Sequence, residues 1–159
     1  MSPLSARNPH ESEDEAAASE AAADVVPLLT EIDHVAIAVH DLPAAIDYYR
    51  ETFGAVVEHR EVVDSDGVEE ALLKVAESYI QLLTPTRDDS PVAKALETRG
   101  EGLHHVGYRV RDCGEALESV KANGGRVIDE HPRPGSRGTT VAFVHPKGAF
   151  GTLIELVQE

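Results

Sequence analysis

Four polar side chains stand in stretches otherwise suited to burial. They are His34 in Ile32–Val39, Gln81 in Tyr79–Thr84, His105 in Leu103–Val110 and Glu155 in Thr152–Val157. A lone carboxylate taken out of water is very costly, so Glu155 needs a partner. A divalent cation meets that need, and imidazole with carboxylate suits a first-row transition ion or zinc. Two histidines, a glutamate and a glutamine make four protein ligands and leave positions open for water or substrate. An open position marks a catalytic rather than a purely structural metal. Read the other way, the same residues are hydrogen-bonded core histidines and a solvent-facing glutamate on an edge strand. The recurrence of the pattern in two halves of the chain favours the metal.

On a strand, neighbouring side chains point to opposite faces. His105 shares its face with Gly107, which leaves space beside it, whereas His104 falls with Val106, Tyr108 and Val110. This parity assigns His105 to the chemistry and His104 to packing. His34 shares its face with the small residues Ala36 and Ala38, leaving Val35, Ile37 and Val39 to pack. A further acidic pair, Glu69-Glu70, opens the apolar run Ala71-Leu72-Leu73. Parity lets only one of the two look into a cavity, and the pattern alone does not choose between them. Paired acids after a turn also commonly face solvent.

The elements that must position these residues come twice. His34 and His105 lie 71 residues apart (105 − 34 = 71), and the same offset relates Val35 to Val106, Val39 to Val110, Asp41 to Asp112, Ala45 to Ala116, Gly54 to Gly125 and Val56 to Val127. This points to a duplicated β-α-β-β-β module. In the first copy a strand at Ile32–Val39 leads to Asp41, an N-cap followed by Pro43 in the first turn. The helix runs to Phe53, with Ile46, Tyr49 and Phe53 as core positions, and Gly54 ends it. Strands follow at Ala55–Val63, Val68–Val75 and Tyr79–Thr84, the first two joined by the turn Asp64-Ser65-Asp66-Gly67. After a linker, Ser90 caps a short helix to Arg99. The second copy has strands at Leu103–Val110, Arg126–Asp129, Thr140–His145 and Thr152–Val157, a helix capped by Asp112, and a loop over His131–Gly138. The fold class is α+β.

The chain of 159 residues suits one domain with a real core, and its net charge of −15 argues against nucleic acid or an anionic membrane as partner. No apolar run is long enough to span a bilayer. The start lacks the order of a signal peptide, so a cytoplasmic location is expected. Cys113, the single cysteine, rules out an intrachain disulfide and reads as a small inert side chain. Residues 1–27 are rich in Ala, Ser and Glu without an apolar stripe and read as a disordered acidic tail, with the folded domain over 28–159.

The pattern resembles the vicinal oxygen chelate superfamily, and within it the methylmalonyl-CoA epimerase family. The resemblance rests on Ile32-Asp33-His34-Val35-Ala36, Tyr48-Tyr49 through Phe53-Gly54, Ser90-Pro91-Val92-Ala93-Lys94, Gly102-Leu103-His104-His105, and His145-Pro146-Lys147 leading to Leu153-Ile154-Glu155-Leu156. It implies two modules forming a cupped sheet around one divalent ion such as cobalt, zinc, manganese or nickel. His34, Gln81, His105 and Glu155 would be the ligands. Glu70, rather than Glu69, would be the second catalytic acid, with Glu155 serving as both ligand and proton-transfer group. The implied reaction is epimerisation of an acyl-CoA by removal and return of an α-proton, in a homodimer. The other readings are a glyoxalase-type isomerase, which would usually carry Glu at position 81, and a metal-free small-molecule binder of the same fold.

Overall fold

The computed structural model describes residues 26–159. The tail expected over residues 1–27 therefore lies almost wholly outside the described residues. Eight strands form one curled sheet: β1 (Leu29–Ala38), β2 (Val57–Val63), β3 (Val68–Val75), β4 (Ser78–Pro85), β5 (Gly102–Val110), β6 (Arg133–Pro134), β7 (Thr140–Val144) and β8 (Ile154–Gln158). Among the described residues three α-helices accompany it: α1 (Leu42–Phe53), α2 (Pro91–Arg99) and α3 (Cys113–Ala122). The strand order is β2-β3-β4-β1-β5-β8-β7-β6. Each half reads outward from the centre in the same sense. β1 pairs parallel with β4 and β5 parallel with β8, while β1 and β5 meet antiparallel in the middle. The two copies are thus related by an approximate two-fold axis between β1 and β5, as the duplication implies.

Local chemistry sets the helix ends. The side chains of Asp41, Ser90 and Asp112 accept from the backbone N–H of Ala44, Val92 and Glu115 and so cap the three helices. Gly54, at φ 68°, closes α1 in the left-handed conformation. One apolar layer joins α1 to the sheet through Val39, Leu42, Ala71, Leu73 and Leu82. Its counterpart joins α3 through Val110, Cys113, Leu117, Ala142 and Leu156. A third cluster sets Val92 and Leu96 of α2 against Ala36, Ala38, Val68 and Leu83.

Three expectations change. Phe53 is 66 % exposed and stacks edge-on with Tyr48 instead of entering the core, although Ile46 and Tyr49 do pack there. Arg126–Asp129 forms a single bridge, Val127 to Val144, and no strand. The Asp129 carboxylate accepts from Phe143 N, taking the place of a ladder carbonyl and ending the pairing. The outermost strand of the second half is instead β6, inside the segment expected to be wholly loop. Among the described residues no helix is long and apolar enough to cross a membrane.

Candidate metal and proton-transfer site

His34 and His105 meet across the two central strands. His34 pairs with Gly107 and His105 with Ala36, so each imidazole lies over a residue with little or no side chain. Glu155 comes from β8, an interior strand flanked by β5 and β7, not an edge. His34 Nε2 lies 3.0 Å from His105 Nε2 and 3.1 Å from Glu155 Oε2, and His105 Nε2 lies 2.8 Å from that same oxygen. Three donor atoms at this mutual spacing suit one ion bound at ~2.0–2.2 Å. Gln81, on β4, occupies in the first half the place that Glu155 holds in the second. Gln81 stands opposite Leu72, and Glu155 opposite Phe143. The Gln81 Oε1 is buried without a hydrogen-bond partner. An orphaned buried acceptor lining the same cavity as His105 and Glu155 has the chemistry of a further cation ligand. The donor set therefore fits a divalent ion.

The Gln81 amide Nε2 donates to Glu70 Oε2, while the other oxygen of Glu70 is buried and unpartnered. Glu70 is 2 % exposed and lines the cavity, whereas Glu69 turns outward and pairs with Arg60 at 2.8 Å. Of the two acids, the one that faces the site is therefore Glu70. Burial pushes its carboxyl above the usual range, helped by the charges of Glu155 and Glu61 and opposed by the Ser136 hydroxyl and the Gln81 amide. Glu155 goes the other way. Burial works against its charge, but hydrogen bonds from His105 and His34 hold it well below the usual range. The two carboxyls are thus driven apart in acidity. Burial also opposes a charge on His34, yet Asp33 and Glu155 outweigh it and raise its pKa to about 9.

Two neighbours escaped the sequence reading, and both result from breaks in strand parity. Between Ile32 and His34 the β1–β5 register slips so that Asp33 has no partner, and between Ile37 and Ala36 the same happens to His104. A bulge re-aims its side chain. Asp33 thereby sits buried beside its own neighbour, with Oδ2 2.7 Å from His34 Nδ1, and it accepts from Arg109 and Arg137. His104, expected to pack, instead lines the cavity with its Nδ1 2.8 Å from His105 Nδ1. Burial and the nearby His105 lower its pKa to about 4. Asp33 and His104 are themselves 71 residues apart (104 − 33 = 71), a signal available in the sequence.

The cavity over these groups has a volume of about 170 Å³. That is below the ~300–1,000 Å³ of pockets that enclose a whole drug-sized ligand. Its walls include Phe143, which packs edge-on against His105 at 5.4 Å, and Val92 of α2. The stretch from β6 to the turn before β7 belongs to the second half but is fastened to the first. Arg133 pairs with Asp66, and Arg137, at a positive φ of 56°, donates from its backbone to Glu61 and from its guanidinium to Asp33.

A profile of the glyoxalase/bleomycin resistance protein/dioxygenase superfamily matches residues 33–143, which run from the bulge at Asp33 to the ring of Phe143. The chain belongs to this superfamily. Among its members, the ethylmalonyl-CoA/methylmalonyl-CoA epimerase of Cereibacter sphaeroides is 38 % identical over 133 residues, covering 82 % of this chain and 99 % of that protein. A methylmalonyl-CoA epimerase solved in complex with methylmalonyl-CoA and NH4+ superposes with a TM-score of 0.80 at 44 % identity, covering 82 % of this chain and 95 % of that one. The epimerase of Mycobacterium tuberculosis superposes equally well, at 38 % identity over 86 % of this chain and 94 % of its own. The chain is thus an isomerase-type member of the superfamily, in its methylmalonyl-CoA epimerase branch, as the sequence resemblance implied.

Proposed function

We propose that this protein interconverts the (R) and (S) forms of methylmalonyl-CoA by moving the α-proton from one face of the substrate to the other. The observation that carries the reading is the convergence of His34, His105 and Glu155 on one point, in a cavity that Glu70 and its partner Gln81 also line. The substrate's C–H lies between a thioester and a carboxylate, and its removal leaves negative charge on the thioester oxygen. A divalent ion held by His34, Gln81, His105 and Glu155 would supply Lewis-acid stabilisation of that charge.

The side chains around it perform the proton transfers. Inversion requires a proton acceptor on one face and a donor on the other. Glu70, buried and pushed toward its protonated form, suits the donor role in one direction and accepts the proton in the reverse. Glu155 serves the opposite face while also holding the ion. The Gln81 amide keeps one Glu70 oxygen fixed and leaves the other free for the substrate. Phe143 and Val92 shield the reacting carbon from water. The small cavity accepts the acyl head, and the coenzyme A carrier extends out through the mouth.

The test is direct. Purified protein incubated with one enantiomer of methylmalonyl-CoA should form the other, with deuterium from solvent entering the α position. Absence of both, with the metal-loaded protein folded, would overturn the assignment.

A further inference from the structure

In each half of the molecule the residue immediately before the site histidine sits in a bulge and touches that histidine's Nδ1. In the first half this residue is Asp33, 2.7 Å from His34, and in the second it is His104, 2.8 Å from His105. Both have lost their partners in the β1–β5 ladder, at positions related by the internal offset of 71 residues. Two imidazole nitrogens at hydrogen-bond distance cannot both donate or both accept. If His105 offers its Nε2 lone pair to an ion, its proton is on Nδ1, and that proton can only be donated to His104 Nδ1. His104 then carries its own proton on Nε2. The second half thus uses a neutral ring where the first half uses a carboxylate.

We infer that His104 is the positioning residue for His105, the counterpart of Asp33 for His34, and that it fixes the tautomer in which His105 presents Nε2 to the ion. The inference rests on the ligand set of the proposed function. Second-sphere partners of this kind hold a ligating ring in orientation and raise its basicity. The two histidines are consequently unequal. His34 leans on a buried anion, itself held by Arg109 and Arg137, and is the stronger donor. His105 leans on a neutral acceptor and is the weaker. The site is also less negative by one unit than it would be with a carboxylate at both positions.

The experiment measures zinc affinity and histidine tautomers, independently of turnover. In the zinc-loaded wild-type protein, long-range 1H–15N spectra should show His34 and His105 protonated on Nδ1 and His104 protonated on Nε2. His104→Phe, which keeps a ring but removes the acceptor, should weaken zinc binding 10–100-fold. His104→Asp, which copies the first half, should restore it to at least the wild-type level. An Nδ1-protonated His104, wild-type affinity in His104→Phe, or a His104→Asp variant as weak as His104→Phe would each overturn the inference. His105→Ala separates the two layers. If it still binds zinc like wild type, the ligand set itself is wrong. If it loses zinc while His104→Phe does not, only the positioning role fails.

Discussion

Gly107 lies directly beneath the His34 ring. A Cβ built on Gly107 would fall 2.2 Å from His34 Cε1 and 2.4 Å from its Nδ1. The glycine is required by close approach, not by its backbone angles. Gly107→Ala should therefore displace His34, because the ring is also held from behind by Asp33 and cannot simply withdraw. Expected are loss of most bound metal, a drop in epimerisation of at least about tenfold, and ~1–3 kcal/mol of destabilisation from overpacking. Metal analysis and thermal melting of the purified variant check this. Full metal content with normal turnover would show that His34 has room the structure does not.

Glu70→Gln removes proton uptake while keeping size and shape. Metal content should be unchanged, and epimerisation should fall by about 10²–10⁴-fold, the usual cost of losing an acid–base group. Solvent deuterium should still enter the enantiomer whose proton faces Glu155 and not the other. Glu69→Gln is the matched control and should behave like wild type, since Glu69 faces Arg60 on the outside. Damage confined to the control would refute the assignment.

The contact between Gln81 and Glu70 gives a prediction with a sign in pH. Gln81→Glu replaces a donor to Glu70 with a second carboxylate. Two like charges in contact disfavour ionisation, so the Glu70 carboxyl, already raised by burial, should rise further. In the direction in which Glu70 accepts the proton, the acid limb of the pH–rate profile should then move to higher pH, and in the direction in which it donates, the alkaline limb should move to higher pH. An unmoved limb would mean that the amide does not touch the titrating acid during turnover.

Cys113 is fully buried against the second-half core, with its Sγ facing the Leu156 carbonyl. Burial, aided by the charges of Asp112 and Asp129, pushes its thiol up to about 11. The folded state holds this proton more tightly than the unfolded state does, so the thiol's contribution to stability is complete below the ordinary thiol pKa. It is lost as the pH rises toward about 11. The reagent that reports it is an aromatic disulfide at pH 8, which should label the native protein at least about 100-fold more slowly than the unfolded chain, because only the thiolate reacts. Rapid labelling of native protein would contradict the burial.

Much of this was legible in the sequence because local rules and tertiary needs agree there. Asp41, Ser90 and Asp112 cap the helices they were expected to cap, and Val68–Val75 and Pro91–Arg99 have the expected ends. Period-two reasoning puts His34 and His105 on one face, and the structure brings both to Glu155, which stands out in the sequence as a carboxylate in an apolar strand, as Gln81 does as an amide. The same reasoning misplaced His104, because parity holds only while a ladder is unbroken, and one extra residue on β5 turns the side chain to the other face. Asp33 was invisible for the same reason. Arg126–Asp129 has strand composition, but Asp129 offers Phe143 a side-chain acceptor in place of a backbone one. Phe53 keeps helical spacing with Ile46 and Tyr49, yet as the last residue of α1 it stays exposed against Tyr48 and Tyr49.

The paired halves differ at a position that faces the cavity. Glu70 stands opposite Leu83 in the first half, and the corresponding pair in the second is Val141 opposite Val157. Val141 lines the same cavity as Glu70. The repeated topology offers two equivalent flanks on which an acid could stand, and only one is filled. The other is apolar wall. A symmetric frame with acids on both flanks would add a further carboxylate to a small cavity already lined by Asp66, Glu70 and Glu155, and the apolar side chain at position 141 spares it that charge.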